Sequence, residues 1–298
     1  MTTDTSSRRR PAAHRFAERV EEITALDGPA EAVAGVVRGT LKPGRLKDAL
    51  SGSWLGHALH PLLTDVPIGA WTSATLLDVL GRDDDRPAAA RLVAVGIASA
   101  VPTAVSGMSD WSDTTLSDPA TRRVGAVHAV ANVAALGLYT ASWCSRRSDR
   151  HGRGVRLGLA GAAAVGVGGF FGGHLSYARG VGVDQTVFEQ PTAEWADVVA
   201  DADVAEGALH GDSVGSEDVV VARVDGRVFA LADRCSHRGG PLHEGTLIDG
   251  CVECPWHGSR FRLEDGSLER GPAVYPQPAY ETRVHEGRIE VRSRPARG

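Results

Sequence analysis

The chain has 298 residues and a net charge of −5, long enough for two domains that each bury a core. No run of Lys and Arg builds an isolated basic face, so a nucleic-acid binder is excluded. Four cysteines, Cys144, Cys235, Cys251 and Cys254, are too few for a disulfide scaffold at this length.

Charge is spread unevenly, with 21 acids and 12 bases from residue 181 onward against 16 acids and 20 bases before it. Residues 1–49 read as a polar N-terminal segment. The triple Arg8–Arg10 is not followed by the apolar core that an export signal needs. Residues 50–180 change character. Leu92–Ser109, Val124–Ser145 and Leu157–Ala178 contain no charge, and Pro61–Leu80 contains only Asp65 and Asp78. About 20 residues at 1.5 Å each cross a hydrocarbon core of roughly 30 Å. The pattern therefore predicts an all-α membrane four-helix bundle, with helices near 61–80, 90–109, 124–145 and 157–178. A soluble bundle of Ala-rich helices is the alternative. Gly168/Gly172 and Gly169/Gly173 both have the GxxxG spacing that lets membrane helices approach closely.

Four crossings put both chain ends and the 110–123 loop on one side. A long basic N-terminal stretch is hard to export, so that side is expected to be the cytoplasm and the membrane the bacterial inner membrane. Lipid is then a partner of the helices. His57 and His60 precede the first helix, His128 lies near the start of the third, and His174 near the end of the fourth. This traces all four to one membrane face. Histidines facing one another across a bundle can hold haem or a metal ion. His128 and His174 are the candidate axial pair for haem b, and His57 and His60 are candidate metal ligands. The competing reading has His57 and His60 hydrated at the interface and His128 and His174 bonded to helix carbonyls. The stretch GHALHPLLTDVPIGAW (Gly56–Trp71) resembles an uncharacterised bacterial membrane family with four helices and a His-x-x-His-Pro motif. Many members carry a further His near the position of Asp65, so a ligand role there does not transfer.

Residues 190–295 read as short strands in an all-β domain. Asp225-Gly226 and Glu286-Gly287 interrupt β-branched runs as hairpin turns do. Between these hairpins lie RCSHRGGPL (Arg234–Leu242) and ECPWHGS (Glu253–Ser259). Each supplies one Cys and one His, as Cys-x-His and Cys-x-x-His. Zinc fingers pair Cys with Cys and His with His, so this arrangement argues for a [2Fe–2S] cluster. Cys235 and Cys254 would hold one iron, and His237 and His257 the other. CSHRGG and CPWHGS resemble the two halves of the Rieske motif.

The resemblance also implies a type. High-potential Rieske proteins of respiratory complexes carry a disulfide over the cluster, and Gly240 and Trp256 occupy those positions here. They also place a Ser and a Tyr whose hydroxyls bond the cluster and a ligand sulfur. Ser259 is present as such a supporting hydroxyl, but Phe261 replaces the Tyr. Fewer bonds to sulfur predict a lower potential, as in the ferredoxins of oxygenases and reductases. Pro272 and Pro276 are expected to shape a loop that shields the cluster. Cys251 reads as a buried strand residue, Cys144 as inert packing, and His243 as solvent-facing.

The leading functional expectation is a membrane-anchored carrier of single electrons. A membrane oxygenase or oxidase, with metal held by bundle histidines and Asp65 or Asp110, is one alternative. A non-catalytic redox sensor is another. No G-x-G-x-x-G loop follows a strand, which implies a separate reductase as electron donor.

Overall fold

The computed structural model describes residues 11–114, 118–190 and 192–294. The Arg8–Arg10 triple lies outside them. The chain divides into two compact units. One comprises residues up to Gly39 together with Pro61–Val181, and the other Thr40–His60 together with Gly182 onward.

Among the described residues the first unit is helical and the second is an antiparallel β fold carrying one short α-helix. Seven α-helices, rather than the four expected, occur among the described residues. They are α1 (Ala12–Glu21), α2 (Asp27–Thr40), α3 (Arg45–Ser51), α4 (Leu59–Leu80), α5 (Arg86–Thr114), α6 (Pro119–Arg147) and α7 (His151–Gly173). The extra three lie in the polar segment, where helical periodicity is short and easily missed. Helix α3 belongs to the second unit.

Helix α6 begins where Asp118 caps it, accepting the amides of Ala120 and Thr121, with Pro119 in the first turn. Three helical stretches, Asp83–Thr114, Pro119–Arg147 and His151–Ala178, are long and apolar enough to cross a membrane. Helix α4 is not among them: Asp65, Asp78 and three threonines dilute its apolar content.

Close approach inside the helical unit depends on small residues. The Trp71 and Tyr139 rings stack with centroids 4.2 Å apart. A Cβ on Gly96 would stand 2.2 Å from the Trp71 indole nitrogen, and one on Gly161 2.9 Å from the Tyr139 ring. Of the two GxxxG pairs, Gly168 faces Asn132 and Gly172 faces His128, both on α6. Gly169 has no neighbour within 4 Å. Only the first pair serves packing between α6 and α7. At one end of the unit Arg146 reaches Asp78, with Nη1 2.8 Å from Oδ1 and a second, shorter contact from Nη2. Cys144, read as inert packing, is a free cysteine exposed on α6.

Ten strands occur among the described residues of the β unit. The six-stranded sheet combines β1 (Ala196–Ala200), β2 (Leu209–Val214), β3 (Glu217–Val224), β4 (Arg227–Ala232), β9 (Ala279–His285) and β10 (Arg288–Ser293), in the order β1-β10-β9-β4-β3-β2. The four-stranded sheet runs β5 (Thr246–Ile248), β6 (Cys251–Glu253), β7 (Arg260–Arg262) and β8 (Leu268–Arg270), in sequence order. Both expected turns form: Asp225 and Gly226 have φ of 52° and 72°, and Glu286 and Gly287 have 51° and 75°. Such left-handed pairs match the twist of the flanking strands. Between the sheets Leu231, Leu242, Val252, Phe261 and Ala273 form a core that also takes in Cys235 and Cys254.

Candidate metal centre

Two loops carry the candidate ligands. The first connects β4 to β5 and contains Cys235 and His237; the second connects β6 to β7 and contains Cys254 and His257. Their backbones close in the same way. In the first, the Gly239 amide donates to the Cys235 carbonyl at 2.8 Å and the Cys235 amide to the Gly240 carbonyl at 2.9 Å. In the second, the Gly258 amide donates to the Cys254 carbonyl at 3.1 Å and the Cys254 amide to the Ser259 carbonyl at 2.8 Å. Gly239 and Gly258 take φ of 74° and 75°, which glycine adopts without a Cβ clash. Each loop is thus a tight turn that projects its Cys and His to one side.

The turns bring like with like. The Cys235 and Cys254 sulfurs lie within hydrogen-bonding reach of each other, and both residues are buried. The His237 and His257 rings meet edge to face with centroids 5.0 Å apart. The Cys254 sulfur and burial push the Cys235 thiol well above its ordinary value. Burial, and then His257, push His237 well below the usual imidazole range. A neutral imidazole is the form that ligates metal. Among the described residues no three His, Cys, Asp or Glu side chains gather round one point. A centre with two irons asks instead for one pair per iron, and one sulfur pair beside one imidazole pair fits that donor set.

Gly240 and Trp256 face each other across the loops. A Cβ on Gly240 would stand 2.9 Å from the Trp256 ring and 3.0 Å from the Cys254 sulfur. All four cysteines are free.

Comparison with known proteins agrees with this geometry. Residues 194–281 match the model of the Rieske [2Fe-2S] domain, and residues 56–185 match that of a predicted membrane protein family (DUF2231). The ferredoxin subunit of anthranilate 1,2-dioxygenase from Burkholderia cepacia is 33% identical over 35% of this chain and 95% of its own length. The chain belongs to the Rieske [2Fe–2S] family. It joins a Rieske domain to a domain of the predicted membrane family. Ferredoxin CarAc from Metapseudomonas resinovorans is 34% identical over 33% of this chain and 92% of its own. Among solved structures, the ferredoxin of carbazole 1,9a-dioxygenase from Nocardioides aromaticivorans IC177 is 27% identical. That match covers 34% of this chain and 100% of the other, with a TM-score of 0.33. The Rieske domain supports a [2Fe–2S] cluster and an electron-transfer role.

The remaining sequence candidates divide between the units. His57 and His60 belong to the unit that contains the Rieske domain, while His128 and His174 belong to the helical unit. The His57 and Tyr275 rings lie edge to face with centroids 6.2 Å apart. His128 Nδ1 lies 2.8 Å from the Gly168 carbonyl oxygen, and His174 Nε2 lies 2.8 Å from a Glu21 carboxylate oxygen. Ser259 is fully buried, and its hydroxyl oxygen accepts the Ala273 amide at 3.0 Å. Cys251 is buried in β6. His243 is partly exposed, and its Nδ1 lies 2.7 Å from Asp233.

Gln277 is the contributor that sequence reading missed. Its amide nitrogen donates to the Ala232 and Arg234 carbonyls, each at 2.7 Å, and its carbonyl accepts the Ser236 amide at 2.9 Å. Ser236 Oγ also donates to the Tyr275 carbonyl at 3.0 Å. The 271–278 loop therefore holds the first ligand loop through Gln277 and the second through Ala273. The only sequence signal for Gln277 is its place between Pro276 and Pro278.

Proposed function

We propose that the chain is a membrane-anchored Rieske ferredoxin in which Cys235 and Cys254 hold one iron and His237 and His257 the other. One sulfur pair and one imidazole pair, each formed between the same two loops, carry this reading. When bound, the cluster supplies reversible one-electron chemistry. The residues of this chain shape what that electron experiences. Phe261 and Trp256 pack apolar surface against the ligand loops, which limits water near the site. The amides of His237 and Arg238 donate to the Cys235 sulfur, and those of Trp256 and His257 to the Cys254 sulfur. Ser259 is the supporting hydroxyl, and Gly240, Trp256 and Phe261 place the site in the lower-potential class, because fewer hydroxyls are available to stabilise added charge.

The Rieske domain spans residues 190–295 in this reading and the membrane domain residues 50–180. A separate reductase supplies electrons. By analogy with relatives named as dioxygenase ferredoxins, an oxygenase is the expected class of acceptor. Free cysteines suit a reducing compartment, so the domain is assigned to the cytoplasmic side of the inner membrane. The proposed function requires no haem b. His128 and His174 each bond within the helical unit, in keeping with a role in packing.

The test is electron paramagnetic resonance of the dithionite-reduced, detergent-solubilised protein, with iron and sulfide analysis. A rhombic signal of low average g and two irons per chain is expected. A zinc-loaded protein, or a signal of all-Cys type, would overturn the ligand assignment. An optical spectrum of the same sample, grown with added haem, tests the omission of haem.

A further inference from the structure

The stretch preceding α4 belongs to the β unit, although it is remote from it in sequence. Residues 40–60 lie along the loops that surround the candidate cluster. A Cβ on Gly258, in the second ligand loop, would stand 3.0 Å from the Pro43 ring. One on Gly271 would stand 2.1 Å from Ser53 Oγ and 2.9 Å from Asp48 Oδ1. Ser53 Oγ donates to the Ala273 carbonyl at 2.9 Å, and His57 meets Tyr275. The strap thus touches the 271–275 turn at three places, and the contact at Gly271 leaves no room for a side chain.

The bond to Ala273 matters because of what the same residue does with its amide. The Ala273 N–H donates to Ser259 Oγ at 3.0 Å, and the Ser259 carbonyl accepts the amide of Cys254 at 2.8 Å. A serine hydroxyl that accepts one bond keeps its own proton to donate. Its direction is governed by where Ala273 is held. Ser53 grips the other end of that residue.

We propose that Ser53 is a positioning residue for the cluster, acting through Ala273 on the Ser259 hydroxyl and so on the reduction potential. The proposal rests on the assignment of Cys235, His237, Cys254 and His257 as ligands. It adds that a residue outside the Rieske domain match tunes the site.

The experiment is a redox titration followed by electron paramagnetic resonance on the full-length protein in detergent, with Ser53→Ala, Ser53→Thr, Ser259→Ala and the Ser53→Ala/Ser259→Ala pair. Ser259→Ala is expected to weaken the hold on the electron roughly tenfold, a negative shift of about 59 mV for a one-electron couple. Ser53→Ala is expected to shift the same way by a smaller step, and Ser53→Thr, which retains the hydroxyl, to restore the parent value. The pair should shift no further than Ser259→Ala alone, because both act through one hydroxyl. An unchanged potential in Ser53→Ala, or additive shifts in the pair, overturns the proposal. Should Ser53→Ala not retain its iron, Ser53→Cys is read in its place, and its weak donor should give an intermediate shift. A parent protein without a Rieske-type signal would refute the ligand assignment itself, which separates that failure from failure of the strap.

Discussion

Replacing Gln277 with Leu keeps the volume of the side chain but removes three hydrogen bonds from a site that is 2% exposed. The carbonyls of Ala232 and Arg234 and the amide of Ser236 then face an apolar group. A buried backbone group left without its bond costs about 1–3 kcal/mol. Taking the low end, because the ligand loop can shift toward water, the three together cost about 3 kcal/mol. These groups flank Cys235, so the cost falls on local opening of the first ligand loop and not on the whole β unit. At about 1.4 kcal/mol per factor of ten, the open population should rise about a hundredfold. An iron chelator in excess attacks only the open form, so bleaching of the visible absorbance should accelerate by a similar factor. Gln277→Glu should add a pH dependence absent from the Leu variant. Its carboxylate would face two carbonyl oxygens, which favours the protonated form and raises its folded-state pKa above the unfolded value. The native state then holds the extra proton, and stability falls as pH rises above the ordinary carboxylate range. Bleaching of Gln277→Leu less than about threefold faster than the parent would refute the reasoning.

In the helical unit, Asp78→Ala strands Arg146, whose side chain is 2% exposed. It should cost about 3–5 kcal/mol in detergent unfolding experiments. Asp78→Leu with Arg146→Met should recover most of that loss, because both charges are then gone. Burial, and then Glu217, raise the pKa of Glu189 to about 7. The native state therefore binds a proton that the unfolded chain has released, and stability from this group is lost as pH rises from about 4.5 to 7. Glu189→Gln should flatten that slope and gain about 1 kcal/mol at pH 8 after allowance for partial exposure, read as the pH dependence of urea midpoints. Cys251→Ala should retain two irons per chain and Cys254→Ser should lose them, as measured by iron analysis. Loss of iron in the Cys251 variant would reopen the ligand set.

What was legible in the sequence was whatever depends on local spacing. The Cys-x-His and Cys-x-x-His loops, the Asp-Gly and Glu-Gly hairpins and the charge-free helices each lie within about 20 residues. Asp78 of α4 lies too far from Arg146 in sequence for their ion pair to be foreseen. The same limit applies to the GxxxG repeats. Spacing allows both pairs, and only the facing helix decides that Gly168 and Gly172 make the contact.

The amino-acid sequence by itself determined the family, the candidate donor set and the helical character of the first part, because each is written in residue type and short-range period. Only the tertiary structure decided that Gly168 and Gly172, and not Gly169, face α6. It also decided that Gln277 closes the first loop, and that Ser53 reaches Ala273 across 220 positions. Those contacts join backbone groups to side chains far apart in the chain. Hydrogen bonding to a carbonyl or an amide leaves no mark in residue type at the receiving position, so no local pattern could have announced them.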